Sequence, residues 1–369
     1  LIFITMIVMI LDALALLCFG VLRGSQLLTY EAMSIVIGQC VTFLIGGLSL
    51  FLNPDVTWLV IALICGSFTN LLVASFFVVR TYGRKILKPI FDGKAMKQAI
   101  HVMIPFALAG IFTKIYSNVD VLFISKFMTT AAVGIYSVAY KFTYAFQFLP
   151  LALSAALYPS LSSTIEHNLQ ATTKTFSRSV WYIFLMVTPI VFGMWIMAPF
   201  LVSLTGSGYA SSAVLLRALI FVLFPSFLEI PFGALLNAAN RQKTRMKILG
   251  ICMLLNVTLD FFLITRFGLF GVVIASLVSY SLMIILECIA VVKFLPSFLN
   301  AIFLKSVVGI LLSGFVMFVF SYALLSKMSL IFLLPCAFLV YAFSLFVTKS
   351  FTKNDVESLR TLFHKTSVV

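Results

Sequence analysis

A chain of 369 residues that is 62% hydrophobic and only 10% charged, with mean hydropathy +1.17, has too little polar surface to close a water-soluble globule. Its formal net charge of +14 is gathered in the connections between apolar segments, which makes it a signal of membrane topology. We therefore expect no nucleic acid partner, and an all-α polytopic membrane bundle as the fold class.

A helix needs about 20 mostly apolar residues to cross hydrocarbon. Polar, charged or Gly/Pro-rich breaks divide the chain into eleven such segments: 1–20, 31–52, 57–79, 101–125, 131–158, 179–203, 213–237, 247–265, 269–291, 304–325 and 329–348. Alternate connections carry nineteen of the basic residues, among them Arg80, Arg84, Lys85, Lys88, Lys94 and Lys97 in one run, whereas the opposite connections hold Lys126, Arg266 and Lys327 alone. Cytoplasmic loops retain Lys and Arg, so the C-terminus is expected in the cytoplasm and the protein in the plasma membrane as a multi-pass chain.

Two short matches, 60–62 with 273–275 and 78–80 with 291–293, share an offset of 213 residues, as if spans one to three repeat spans seven to nine. Duplicated bundles are a common transporter plan, with the substrate site between the halves. The expected division is 1–83 as the remainder of an N-terminal helical lobe, 84–100 as a basic cytoplasmic linker, 101–295 as a C-terminal six-helix lobe, 300–349 as an additional helix pair and 350–369 as a cytoplasmic tail. A chain opening at Leu1 inside an apolar segment, without the charged start of a signal peptide, is expected to lack three upstream helices.

Enzyme chemistry is disfavoured. HExxH, Walker A, GxSxG and GxGxxG arrangements in a suitable context are absent from the sequence, and the external connections are too short to present catalytic carboxylates. The six cysteines lack CxxC spacing and read as small packing residues, so no cofactor or metal is expected.

Polar residues at membrane depth carry the remaining information, because an ionisable group there costs about 2.5 to 3.5 kcal/mol on insertion scales. In the fourth span Thr113, Ser117 and Asp120 follow helical spacing, with Lys114, Asn118 and Ser125 on the adjoining face. The fifth span aligns Tyr136, Tyr140, Tyr144 and Gln147, beside Ser137 and Lys141. Such tyrosines can pack against sugar rings, or serve as an interfacial belt at Tyr136 and as plain helix packing elsewhere. In the seventh span Arg217 and Glu229 bracket Pro225, with Pro231 following, so a bent or broken helix is expected. Glu229 either serves transport or sits solvated near the cytoplasmic end, and Asp12 and Asp260 read as either near water or paired.

The stretches Asn118–Phe127, Ala131–Phe142 and Leu149–Ser162, with a later turn at Leu235–Lys243, carry a family resemblance. Their pattern of an Asp closing one span, a VGxYxxAxK run and a Pro near the end of the next maps onto Asp120, Val133, Gly134, Tyr136, Ala139, Lys141 and Pro159. It resembles the polysaccharide-biosynthesis flippases, the Wzx-like branch of the multidrug/oligosaccharidyl-lipid/polysaccharide exporter superfamily, over essentially the whole chain. The resemblance implies spans four to fourteen of a fourteen-span, two-lobed fold. It also implies transfer of an isoprenoid-pyrophosphate-linked oligosaccharide to the outer leaflet, with membrane lipids, a polysaccharide polymerase and glycosyltransferases as partners.

On that reading Lys114, Lys141 and Arg217 supply positive charge for the pyrophosphate, Tyr140 and Tyr144 contact the sugar, and Asp120 and Glu229 are the ion-coupling candidates. Asp120 could instead neutralise Lys114. A peptidoglycan-precursor flippase, a multidrug or cation exporter of the same superfamily and, further off, an enzyme of lipid-linked glycan assembly are the alternatives.

Overall fold

The computed structural model describes residues 2–25, 27–52, 55–83, 93–325 and 327–351, and among them all regular structure is helical. The expected linker cations Arg84, Lys85 and Lys88, together with most of the expected tail, lie outside the described residues. The chain divides into two compact units, residues 1–97 and 98–369.

The first unit contains α1 (Ile2–Gly24), α2 (Leu28–Leu52) and α3 (Val56–Tyr82), with α3 packed against both of the others. Small residues set the α2–α3 approach: a Cβ at Gly38 or Gly66 would run into the facing helix. That is how helices associate where lipid tails are as apolar as leucine. Ala15, Phe19 and Leu22 of α1 meet Ala74 and Val78 of α3 in a small core. At the polar α1–α2 turn Arg23 donates to both carboxylate oxygens of Glu31, Nε at 2.8 Å and Nη2 at 2.5 Å.

The second unit holds α4 (Gly93–Phe127) from Gln98 onward, α5 (Thr130–Tyr144), α6 (Phe148–Thr164), α7 (Leu169–Ser203), α8 (Ser212–Leu219), α9 (Leu223–Ala238), α10 (Gln242–Phe267), α11 (Leu269–Val292), α12 (Ala301–Leu324) and α13 (Leu330–Val347). Its axis is α7, whose 35 residues would run about 52 Å at 1.5 Å per residue, well beyond the hydrocarbon thickness. For that reason it starts ten residues before the predicted 179–203: the polar stretch with Lys174 and Arg178 is helical without being apolar. On one side α7 buries Phe176, Val180, Ile183, Val187 and Val191 against α9, and the rings of Phe176, Phe232 and Phe298 interlock at 5.0 to 5.9 Å. On another, α12 and α13 dock on it through Ile310, Met317 and Tyr341, whose hydroxyl donates to the Leu185 carbonyl at 3.0 Å.

Two predicted single spans are divided. The stretch 131–158 becomes α5 and α6, because Pro150 offers no N–H to the Phe146 carbonyl and the chain tightens into i−3 bonds, Gln147 to Tyr144 at 3.1 Å and Leu149 to Phe146 at 3.0 Å. The stretch 213–237 becomes α8 and α9 around a 3-10 turn, Ile220–Val222, just before Pro225. The break expected from Pro225 is present, whereas Pro231 is accommodated inside α9.

Nine helices among the described residues are long and apolar enough to cross a membrane, with the α8–α9 segment counted as one. The chain is a polytopic helical membrane protein.

Candidate functional site

The polar residues of the fourth span separate into two sets in the second unit. Thr113, Lys114, Asn118 and Ser125 are exposed on its surface, and their neutral side chains fold back on their own helix, Thr113 to the Ala109 carbonyl and Asn118 to the Lys114 carbonyl, each at 2.8 Å. Asp120 turns the other way and is 6% exposed. Its Oδ2 accepts from the Tyr136 hydroxyl of α5 at 2.5 Å and from Ser276 Oγ of α11 at 3.1 Å. Tyr136 is therefore no interfacial belt residue: it is 1% exposed and committed to a carboxylate.

Facing Asp120 stands Asp260 of α10, fully buried and within hydrogen-bonding reach of it. The sequence left Asp260 between water and pairing, and the bundle resolves it as one half of a carboxyl pair. Among the described residues neither Asp260 oxygen has a hydrogen-bond partner, nor does Asp120 Oδ1. One turn earlier on α10, Asn256 is also fully buried, and among the described residues both its side-chain polar atoms are unpartnered, as is Ser279 Oγ on α11. Two like charges in a low-dielectric interior oppose burial unless a positive charge settles them. This oxygen-rich set suits a proton or a hard cation. Among the described residues no group of three or more His, Cys, Asp or Glu side chains is arranged to hold a metal.

A second buried cluster lies on α9, α10 and α11. Arg245 Nη2 donates to Glu229 Oε1 at 2.5 Å, so Glu229 is held by a partner rather than merely solvated. Glu287 of α11 is fully buried within electrostatic range of both, yet among the described residues its two oxygens have no hydrogen-bond partner. Gly233 makes room for Arg245, since a Cβ there would fall 2.4 Å from the guanidinium carbon. Between this cluster and the carboxyl pair stand two tyrosines: Tyr116 donates to the Ser276 carbonyl at 3.5 Å and meets Tyr280 edge-on at 4.6 Å.

The other expected site residues are dispersed. Tyr136, Tyr140 and Tyr144 form a ladder along α5 with centroid spacings of 5.9 and 4.4 Å, and Tyr140 donates to the Ser117 carbonyl at 3.5 Å. Lys141 is exposed. Arg217 is half-buried, stacked 4.5 Å over the Trp195 ring and donating to that residue's carbonyl at 3.2 Å. Sequence reasoning passed over Asn256, Ser276 and Glu287. The signals were present: Asn256 and Asp260 lie four apart on one helix, and Glu287 is a lone acid in an otherwise apolar span.

A family model described as "Polysaccharide biosynthesis protein" matches residues 6–214. Among curated proteins, the chain is 24% identical over 304 residues to the "Probable low-salt glycan biosynthesis flippase Agl15" of Haloferax volcanii, a match over 81% of this chain and 62% of that protein. It is 28% identical over 182 residues to the "Probable flippase AglR" of the same organism, over 48% and 38% respectively. The chain thus spans less than two thirds of the length of these relatives. In fold it is similar to the lipid II flippase MurJ in an inward closed conformation, with TM-score 0.67 and 15% identity over 94% of this chain and 72% of that one. A MATE structure in a bent conformation follows, with TM-score 0.63 and 14% identity over 78% and 67%.

Proposed function

The chain belongs to the polysaccharide biosynthesis protein family, and on that premise we propose that it is a flippase moving an isoprenoid-pyrophosphate-linked oligosaccharide to the outer leaflet of the plasma membrane. The relatives from Haloferax volcanii, named as flippases, support the class of activity. The glycan head group cannot enter hydrocarbon with its hydroxyls and phosphates unpaired. On this reading the exposed Lys114 and Lys141 meet the pyrophosphate, Arg217 adds a guanidinium, and Tyr140 and Tyr144 border the sugar. The polymerase and glycosyltransferases of the same glycan are the proposed partners, and the basic connections and C-terminus face the cytoplasm.

The single observation that carries the mechanism is the Asp120–Asp260 pair, buried across α4 and α10 with no basic side chain bonded to it among the described residues. We assign it the binding of the coupling cation, whose passage down an electrical gradient supplies about 2.3 kcal/mol per charge per 100 mV. Glu229, tied to Arg245, is the auxiliary ion-coupling group. The purified protein in proteoliposomes, given a fluorescent isoprenoid-pyrophosphate glycan, should expose it on the far leaflet in response to an imposed proton or sodium gradient. Asp120→Asn should leave residual flipping that ignores the gradient. Lys114→Gln with Lys141→Gln should slow flipping while keeping its gradient dependence. Gradient-dependent flipping that survives Asp120→Asn would remove the pair from coupling, and no flipping by the unaltered protein would overturn the activity itself.

A further inference from the structure

A cavity of about 1050 Å³ opens at the basic end of the second unit, between the early turns of α7, the N-terminus of α12 and the turn that follows α13. It lies just above the roughly 300 to 1,000 Å³ typical of small-molecule sites. Lys174, Lys305 and Lys349, all exposed, stand around it from three different helices or turns. The floor is built: Trp181 Nε1 donates to Ser306 Oγ at 2.8 Å, Ser306 Oγ donates to the Ser350 carbonyl at 3.3 Å, and the Trp181 ring stacks on Phe351 with centroids 5.7 Å apart.

One of these cations is kept against backbone preference. Lys349 has φ +54° and closes α13, with Ser350 N–H donating to the Leu345 carbonyl and Lys349 N–H to the Phe346 carbonyl, both at 3.1 Å. Glycine is the usual residue at this left-handed helix end because a Cβ is strained there. A strained residue whose ammonium group sits at the mouth of a cavity points to a binding role for that charge. Beside the cavity, an apolar crevice of about 410 Å³ runs along α7 and α13, lined by Leu185, Pro189, Ile190, Phe338, Phe346 and Phe351. Phe351 borders this crevice and stacks on Trp181, which lines the cavity, so a charged chamber and a greasy slot share a wall.

We propose that this site holds an anionic glycerophospholipid of the cytoplasmic leaflet, its phosphodiester among Lys174, Lys305 and Lys349 and one acyl chain in the crevice. Basic pockets between membrane helices on the cytoplasmic side take anionic head groups in this manner, and a neutral lipid would leave the three ammonium groups unanswered. The site is separate from the carboxyl pair and does not depend on what the protein transports.

Native mass spectrometry of the purified protein tests it directly, with phosphatidylglycerol, phosphatidylcholine and glycerol phosphate as probes. Phosphatidylglycerol should be retained over phosphatidylcholine. Lys174→Glu and Lys305→Glu should each weaken retention by roughly fivefold or more, from the worth of one basic residue near an anionic lipid. Lys349→Gly should weaken retention while raising the melting temperature of the delipidated protein, since glycine takes the left-handed conformation without strain. That variant separates binding from folding: a higher melting temperature with unchanged retention would sink the assignment. Equal retention of the two lipids, or glycerol phosphate held as well as the intact lipid, would sink it too, the last outcome marking a site for soluble phosphate.

Discussion

At the scale of single residues, the second unit gathers two acidic clusters, and among the described residues each has fewer positive charges than carboxylates. Tyr136 is the strongest donor to the first, at 2.5 Å from Asp120. Tyr136→Phe removes that donor while keeping the ring, and leaving a buried acceptor short costs about 1 to 3 kcal/mol; thermal unfolding in detergent should register the loss. In the second cluster Arg245 is bonded to Glu229 and interacts electrostatically with Glu287. Arg245→Ala strands both carboxylates and is expected to destabilise by about 3 to 5 kcal/mol. Adding Glu287→Gln to that variant should recover part of the loss. An Arg245→Ala protein as stable as the parent, or no recovery in the double variant, would show that the cluster is hydrated rather than dry.

Among elements, small residues and prolines decide where helices touch and where they break. Gly314 of α12 lies against α7, where a Cβ would come within 2.1 Å of Thr188 Cγ2 and 3.0 Å of the Phe192 ring. Gly314→Leu should push the α12–α13 pair off α7. Overpacking of this sort costs about 1 to 3 kcal/mol, and proteolysis should cut the α12–α13 connection near Ser329 faster than in the parent. Pro150 and Pro225 were visible in the sequence, but their consequences were read unequally. Pro225 was expected to break its span and does, whereas the division at Pro150 was missed because the flanking residues are as apolar as any continuous span. Apolar composition reports burial in lipid and is blind to one missing N–H.

For the whole molecule, the asymmetry of basic residues makes a topological prediction that labelling can check. Single cysteines introduced at Gly206 or at Gly268 should react with a membrane-impermeant maleimide added outside intact cells. Cysteines at Asn240 or Ser297 should react only after permeabilisation. The inverse pattern would reverse the orientation derived from the positive charges, and with it the leaflet assigned to the lipid site.

Fold class, the approximate positions of the helices and the family resemblance followed from the amino-acid order alone, because hydrophobic length and the placement of Lys and Arg are local properties that lipid reads directly. Asp120 and the tyrosine ridge of α5 were also legible, as polar residues where polar residues are expensive. Which way each points was not. Lys114 and Asp120 share a helix, yet one is exposed and the other buried against Tyr136, Ser276 and Asp260. The carboxyl pair joins residues 140 positions apart, and Glu287 meets Glu229 and Arg245 only where three helices converge. Contacts between distant turns depend on how each helix rotates about its own axis, and that rotation is set by neighbouring side chains fitting together in the assembled bundle.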